Sequence, residues 1–220
     1  MQAHKSWLTI CVATAVLAGC GGSNKDPEPG PDAATPTATE TAVNVVQPGA
    51  PGEPTKQLPP GTTPVPIEPV EADFEFMQKM ITHHDQALVM TGWVPDRAGD
   101  EGIKLLAKRM EISQKDEVEQ MKQWLKKHGR EPAPHEHSAD EMPGMLTPEQ
   151  LEQLQGAEGK QFEKLFLEFM TQHHQGALQM IADLYSAGGA GETEIQQFAM
   201  HVDSDQSIEI QRMAELLKKY

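Results

Sequence analysis

Cysteine is nearly absent from this chain of 220 residues, which holds two, Cys11 and Cys20. Cys11 falls inside an N-terminal apolar run that is expected to be cleaved away, so a disulfide framework is excluded. Positive charge is also scarce: 18 Lys and Arg stand against 33 Asp and Glu, for a formal net charge of −15. Such acidity argues against nucleic acid as a partner and against adhesion to anionic lipid, while it concentrates cations near the surface. There is no alternating strand pattern, no Gly-rich phosphate loop and no Ser-His or Cys-His arrangement. Nucleophilic and phosphate-transferring chemistry is therefore unsupported, and the chain reads as a non-enzyme. The apolar run from Trp7 to Leu17 is too short to cross a bilayer as a permanent helix.

What is present at that end has the layout of a bacterial lipoprotein signal. Lys5 precedes the apolar run and Leu17-Ala18-Gly19-Cys20 follows it, which predicts a signal peptide over residues 1–19 and a lipidated Cys20. The expected location is the bacterial cell envelope, extracytoplasmic, on the periplasmic or outer face, with membrane contact through the lipid alone. Residues 20–70 are rich in Pro, Gly, Thr, Ala and acidic side chains. That composition offers too little apolar surface to offset backbone ordering, so a flexible tether is expected. Residues 71–220 have the length of one domain with a real core.

That domain repeats itself. His83-His84-Asp85-Gln86-Ala87-Leu88-Val89-Met90 returns as His173-His174-Gln175-Gly176-Ala177-Leu178-Gln179-Met180, an offset of 90 that also aligns Phe76 with Phe166 and Met80 with Met170. An offset of 92 aligns Gln114 with Gln206, Glu117 with Glu209 and Met121 with Met213. Apolar positions recur at steps of three and four along both segments of each repeat, which is the helical period. The expected fold is all-α: a four-helix bundle of two tandem helix pairs, about 71–128 and 158–220, joined by a connector over 129–157. Asp100 is expected to cap the second helix and His128-Gly129 to close it, and Thr193 with Gln196 reads as a capping box opening the last. Thr147-Pro148-Glu149-Gln150 opens a short extra helix that Gly156 interrupts, and Pro95 and Gly188-Gly189 mark the inter-helix turns.

Helical spacing sets Met80 beside His83 and His84, and Met170 beside His173 and His174, with Met90 and Met180 as deeper sulfur donors. Imidazole nitrogen with thioether sulfur suits copper in either oxidation state, and silver would mimic Cu(I). The bland alternative is that the methionines fill the core and the histidines are structural. Glu117, Glu209, Gln114 and Gln206 lie on otherwise apolar stripes, where a buried carboxylate costs several kcal/mol unless paired. The two glutamates either orient the histidines, the favoured reading, or bind metal themselves as in di-metal bundles, whose Glu-x-x-His spacing is lacking here. In the connector, His135, His137, Met142 and Met145 form either an accessory capture site or a solvated linker. His128 is expected to be a helix cap and His201 a surface residue.

The segments Phe76 to Met90, Gln114 to Met121, Pro143-Gly144-Met145, Phe166 to Met180 and Gln206 to Met213 together resemble the domain-of-unknown-function-305 family of secreted, often lipid-anchored helical proteins. The resemblance implies a ferritin-like four-helix bundle. Through copper-associated members it also implies a copper ion, Cu(I) or Cu(II), held for sequestration or delivery. Thr82 and Gln172 stand where many relatives carry Pro, and the connector is poorer in Met than in the copper-associated members. A homodimer or a metal-transfer partner protein would suit delivery. The rival readings are a ferritin-like di-iron or di-manganese oxidase built on Glu117, Glu209 and the histidines, and a metal-free envelope interaction module.

Overall fold

The computed structural model describes residues 46–47, 54–59, 66–132 and 142–220. The chain separates into two compact units, Met1–Thr63 and Pro64–Tyr220. In the first, the stretch expected to be tether contains a two-residue antiparallel ladder, β1 (Val46–Gln47) with β2 (Lys56–Gln57). The signal segment and Cys20 lie outside the described residues. The second unit holds the helices α1 (Glu71–Arg97), α2 (Glu101–Lys127), α3 (Pro148–Gly156), α4 (Gly159–Ser186) and α5 (Thr193–Leu217). Among the described residues no helix is long and apolar enough to cross a membrane.

Local chemistry sets most of the helix ends. Asp100 accepts from the Gly102 and Ile103 amides at 2.7 and 3.1 Å, satisfying donors that the first turn of α2 cannot pair internally. Thr147 and Gln150 cap α3 reciprocally. Two boundaries differ from the sequence expectation. The cap of α5 is Glu192, whose carboxylate accepts from Ile195, and Thr193 is already the first helical residue. A carboxylate there both accepts the free amide and meets the positive end of the helix dipole. Pro95 lies inside α1 rather than in the turn. The helix ends two residues later, so the missing amide disturbs only its final turn.

Helices α1 and α2 form one hairpin, and α4 and α5 the other. Met80 shares an apolar cluster with Met180, Met121 and Phe198, whereas Met170 shares a second with Met90, Met110, Phe166 and Met213. The residue before each histidine doublet therefore meets the residue after the other, so α1 and α4 run antiparallel through a common histidine layer. Each fully buried Met or Phe contributes about 1.5–3 kcal/mol, and these two clusters hold the layer between them.

The ends of that crossing are tied by a pair of acids. Asp73 at the start of α1 is 1% exposed and accepts from the Ala190 amide at 2.7 Å, in the turn that follows α4. Glu163 at the start of α4 accepts from the Gly99 and Asp100 amides at 2.6 Å, in the turn that follows α1, and from the Tyr220 hydroxyl at 2.8 Å. The two acids stand 90 residues apart, the same offset as the histidines.

Candidate metal centre

His83, His84, His173 and His174 are all 0% exposed. The rings of His83 and His173 lie against each other across the α1–α4 crossing, with centroids 3.8 Å apart. His84 Nε2 pairs with Glu117 of α2 at 2.7 Å, and His174 Nε2 pairs with Glu209 of α5 at 2.7 Å. His83 Nε2 donates to the Pro143 carbonyl at 3.1 Å, a partner that can only accept. The four Nδ1 atoms, together with His173 Nε2, are buried without a hydrogen-bond partner among the described residues.

Electrostatics keep the central pair neutral. Burial, reinforced by the neighbouring His84, depresses His83 to a pKa of about 3 against the Pro143 hydrogen bond. Burial and the charges of His83, His174 and His84 lower His173 well below its ordinary range, opposed only weakly by the His83 backbone. Burial raises the Glu117 carboxyl, but the hydrogen bond and charge of His84, with help from Ser113, outweigh it and leave the acid stronger than usual. A neutral ring that donates from Nε2 carries its lone pair on Nδ1. On His83, whose Nε2 donates to Pro143, the Nδ1 lone pair is therefore buried with no partner, a costly arrangement in a closed core unless a cation takes it.

The other predicted residues are distributed as follows. Met80, Met90 and Met170 are completely buried and Met180 nearly so, divided between the two apolar clusters that flank the layer. Gln114 and Gln206 are each 3% exposed with both amide atoms unpaired, which adds to the unmet polarity at this level of the bundle. Met142 is buried and lines a cleft of about 200 Å³ with Met180 and Phe76, while Met145 is half-buried. His135 and His137 lie outside the described residues. His128 is the C-cap of α2, its ring 4.6 Å from that of Trp124.

The connector's role at the site was not visible from residue types. Gln86 accepts from the Leu146 amide at 2.7 Å and donates to its carbonyl at 3.1 Å. Gly144, with φ of 77°, lies directly on Gly176, where an added Cβ would overlap the Pro143 carbonyl. Residues 142–146 therefore strap the histidine layer, and the Pro143 carbonyl is the strap's contribution to it. A backbone carbonyl has no side-chain signature, although the change from Gln86 to Gly176 within the repeat was a signal of close approach. His201 is exposed, as expected, and it also lies 3.8 Å from buried Glu117 and 3.4 Å from Asp205.

The family profile described as Domain of unknown function (DUF305) matches residues 73–217. The chain belongs to the DUF305 family. A DUF305 fragment from Deinococcus radiodurans is 26% identical, with a TM-score of 0.64 over 70% of this chain and 100% of its own. A DUF305 protein from Streptomyces coelicolor, described as secreted, is 30% identical, with a TM-score of 0.61 over 67% of this chain and 93% of its own. CopM in its Cu(II)-bound form has the same fold at 24% identity, with a TM-score of 0.57 over 67% of this chain and 96% of its own. No curated protein matches the chain. The matched span of this DUF305 domain contains both histidine doublets and both Glu partners, and begins at Asp73.

Proposed function

We propose that this protein is an extracytoplasmic, lipid-anchored binder of soft metal ions, with copper as its cargo for sequestration or delivery. The observation that carries the reading is the set of Nδ1 atoms of His83, His84, His173 and His174, buried in one layer with no hydrogen-bond partner among the described residues. Metal binding needs deprotonated imidazoles, and burial holds His83 and His173 in that form. Carboxylates on Nε2 are the usual means of orienting a ligating ring and raising its basicity, which is the position of Glu117 and Glu209. Each pairing uses the Oε2 of its glutamate to hold a ring rather than to bridge two metals. No three of the four histidines bring ligand nitrogens within 4.8 Å of one another, so a single ion at this layer would draw on the flanking thioethers of Met80, Met90, Met170 or Met180. Nitrogen with sulfur favours Cu(I). CopM, similar in fold, is known in Cu(I)-, Cu(II)- and silver-bound forms, which supports the choice of metal. The lipoprotein-like N-terminus and the relative described as secreted support the location.

Replacing all four histidines with alanine should abolish stoichiometric Cu(I) binding in competition with a chromogenic chelator, while far-ultraviolet helicity persists. The variant H83A/H173A, which leaves both His–Glu pairs intact, should already weaken binding at least tenfold. Cu(I) retained at wild-type stoichiometry by the quadruple variant would remove the assignment. Oxygen consumption on adding Fe(II) would instead favour an oxidase.

A further inference from the structure

Glu117 faces two environments with its two oxygens. Oε2 pairs with His84 inside the core, whereas Oε1 accepts from the Ser113 hydroxyl at 3.2 Å and lies 3.8 Å from His201 Nε2 on α5. His201 Nε2 is in turn 3.4 Å from Asp205 Oδ2, one helical turn along. The Glu117 side chain is 4% exposed, and those of His201 and Asp205 are 56% and 42% exposed. Among the described residues this is the one trio of His, Cys, Asp or Glu whose ligand atoms all lie within 4.8 Å of one another.

The spacing leaves room for an ion between these groups. At 3.4 and 3.8 Å the contacts of His201 are longer than a formed N–H···O bond, which falls at about 2.7–3.2 Å. Metal–nitrogen and metal–oxygen bonds of about 2.0–2.2 Å in a tetrahedral arrangement separate neighbouring ligand atoms by roughly 3.4 Å. One imidazole and two carboxylates with no sulfur also make a harder donor set than the histidine–methionine layer, one suited to a borderline divalent ion with water completing its shell.

The bundle builds this feature once. At the offset of 92, Arg109 and Ser113 of α2 stand where α5 has His201 and Asp205. Two grooves flank α2 and α5. The one lined by His201, Gln120, Gln123 and Gln197 has a volume of about 610 Å³. The other, of about 620 Å³, is lined by Arg109, Arg212, Glu215, Leu105 and Ile208 and has no histidine.

We propose that Glu117, His201 and Asp205 form a second metal site, for a borderline divalent cation such as Cu(II) or Zn(II), at the solvent end of the His84–Glu117 pair. The site is distinct from the soft-metal layer and does not require it, although the two share Glu117. The test is Cu(II) titration of the whole protein, followed by electron paramagnetic resonance and equilibrium dialysis, in wild type and in H201A/D205N. Both substituted residues are exposed, so the fold is retained. The double variant should lose one Cu(II) equivalent, and the corresponding imidazole-nitrogen signal, while its Cu(I) stoichiometry is unchanged. Cu(II) stoichiometry and affinity equal to wild type would overturn the proposal. If the wild type takes up no Cu(I) but H201A/D205N still loses a Cu(II) equivalent, the core reading fails and this site stands.

Discussion

Helices α1 and α4 carry the same histidine doublet, but the connector that passes between them treats the two differently. On α1, His83 gives its Nε2 proton to the Pro143 carbonyl and Gln86 grips both backbone groups of Leu146. On α4, His173 makes no comparable bond, and Gly176 supplies the bare backbone against which Pro143 and Gly144 lie. The glutamates differ as well, the Glu117 side chain being 4% exposed and that of Glu209 14%. A duplicated helix pair can repeat its ligand frame, whereas a connector that crosses the pair once must meet each copy with different residues. The difference between the halves therefore reports what was added to an inherited ligand frame: a strap over the layer, and on the α5 face a trio of cation-binding groups.

The largest stability difference should come from Gly176 and Gln86, which meet the strap from α4 and α1. Alanine in place of a mid-helix glycine ordinarily gains up to about 1 kcal/mol. Gly176→Ala should instead cost about 3 kcal/mol in urea denaturation, because its Cβ would drive into the Pro143 backbone. Gln86→Ala removes two hydrogen bonds to Leu146 and should cost about 1–2 kcal/mol. A stabilising Gly176→Ala would show that the strap does not rest on α4.

The carboxylates give the next contrast. Glu117→Ala should lower Cu(I) affinity about 10–100-fold, the usual effect of losing the partner that orients a ligating histidine. Glu209→Ala should do less, since solvent reaches that side and can replace the lost acceptor. Equal losses would mean that burial does not separate the two partners.

Much of this arrangement was legible in the sequence. Steps of three and four in the apolar pattern located the long helices, and the offset of 90 set both doublets in one frame. The acids Asp73 and Glu163 obey that same offset, but their partners are backbone amides of distant turns, which no residue type announces. The Pro143 carbonyl escaped for the same reason. His201 read as a surface residue because exposure is all that its own helix position implies. Its relation to Glu117 depends on how α5 lies beside α2.

The smallest effect concerns those end clamps and acid pH. Burial raises the Glu163 carboxyl, but the Tyr220 hydroxyl and the Asp100 and Gly99 amides lower it further, to a net value below the ordinary 4.5. A carboxyl whose folded value is depressed stabilises the fold above its unfolded value, and that contribution fades as pH falls through the folded value. Thermal melts of Glu163→Gln should therefore show a shallower loss of stability between about pH 5 and pH 3 than wild type. An unchanged slope would mean that the clamp is not ionised in the folded protein.

The most direct test of the buried-lone-pair site is nitrogen-15 NMR of the histidine rings during titration with Ag(I), a diamagnetic mimic of Cu(I). Before metal, His83, His84 and His174 should be Nε2–H tautomers, and Ag(I) should shift Nδ1 signals within this histidine layer while the Nε2 of those three rings stays protonated. Nδ1–H tautomers in the free protein, or silver shifts confined to histidines outside the layer, would contradict it.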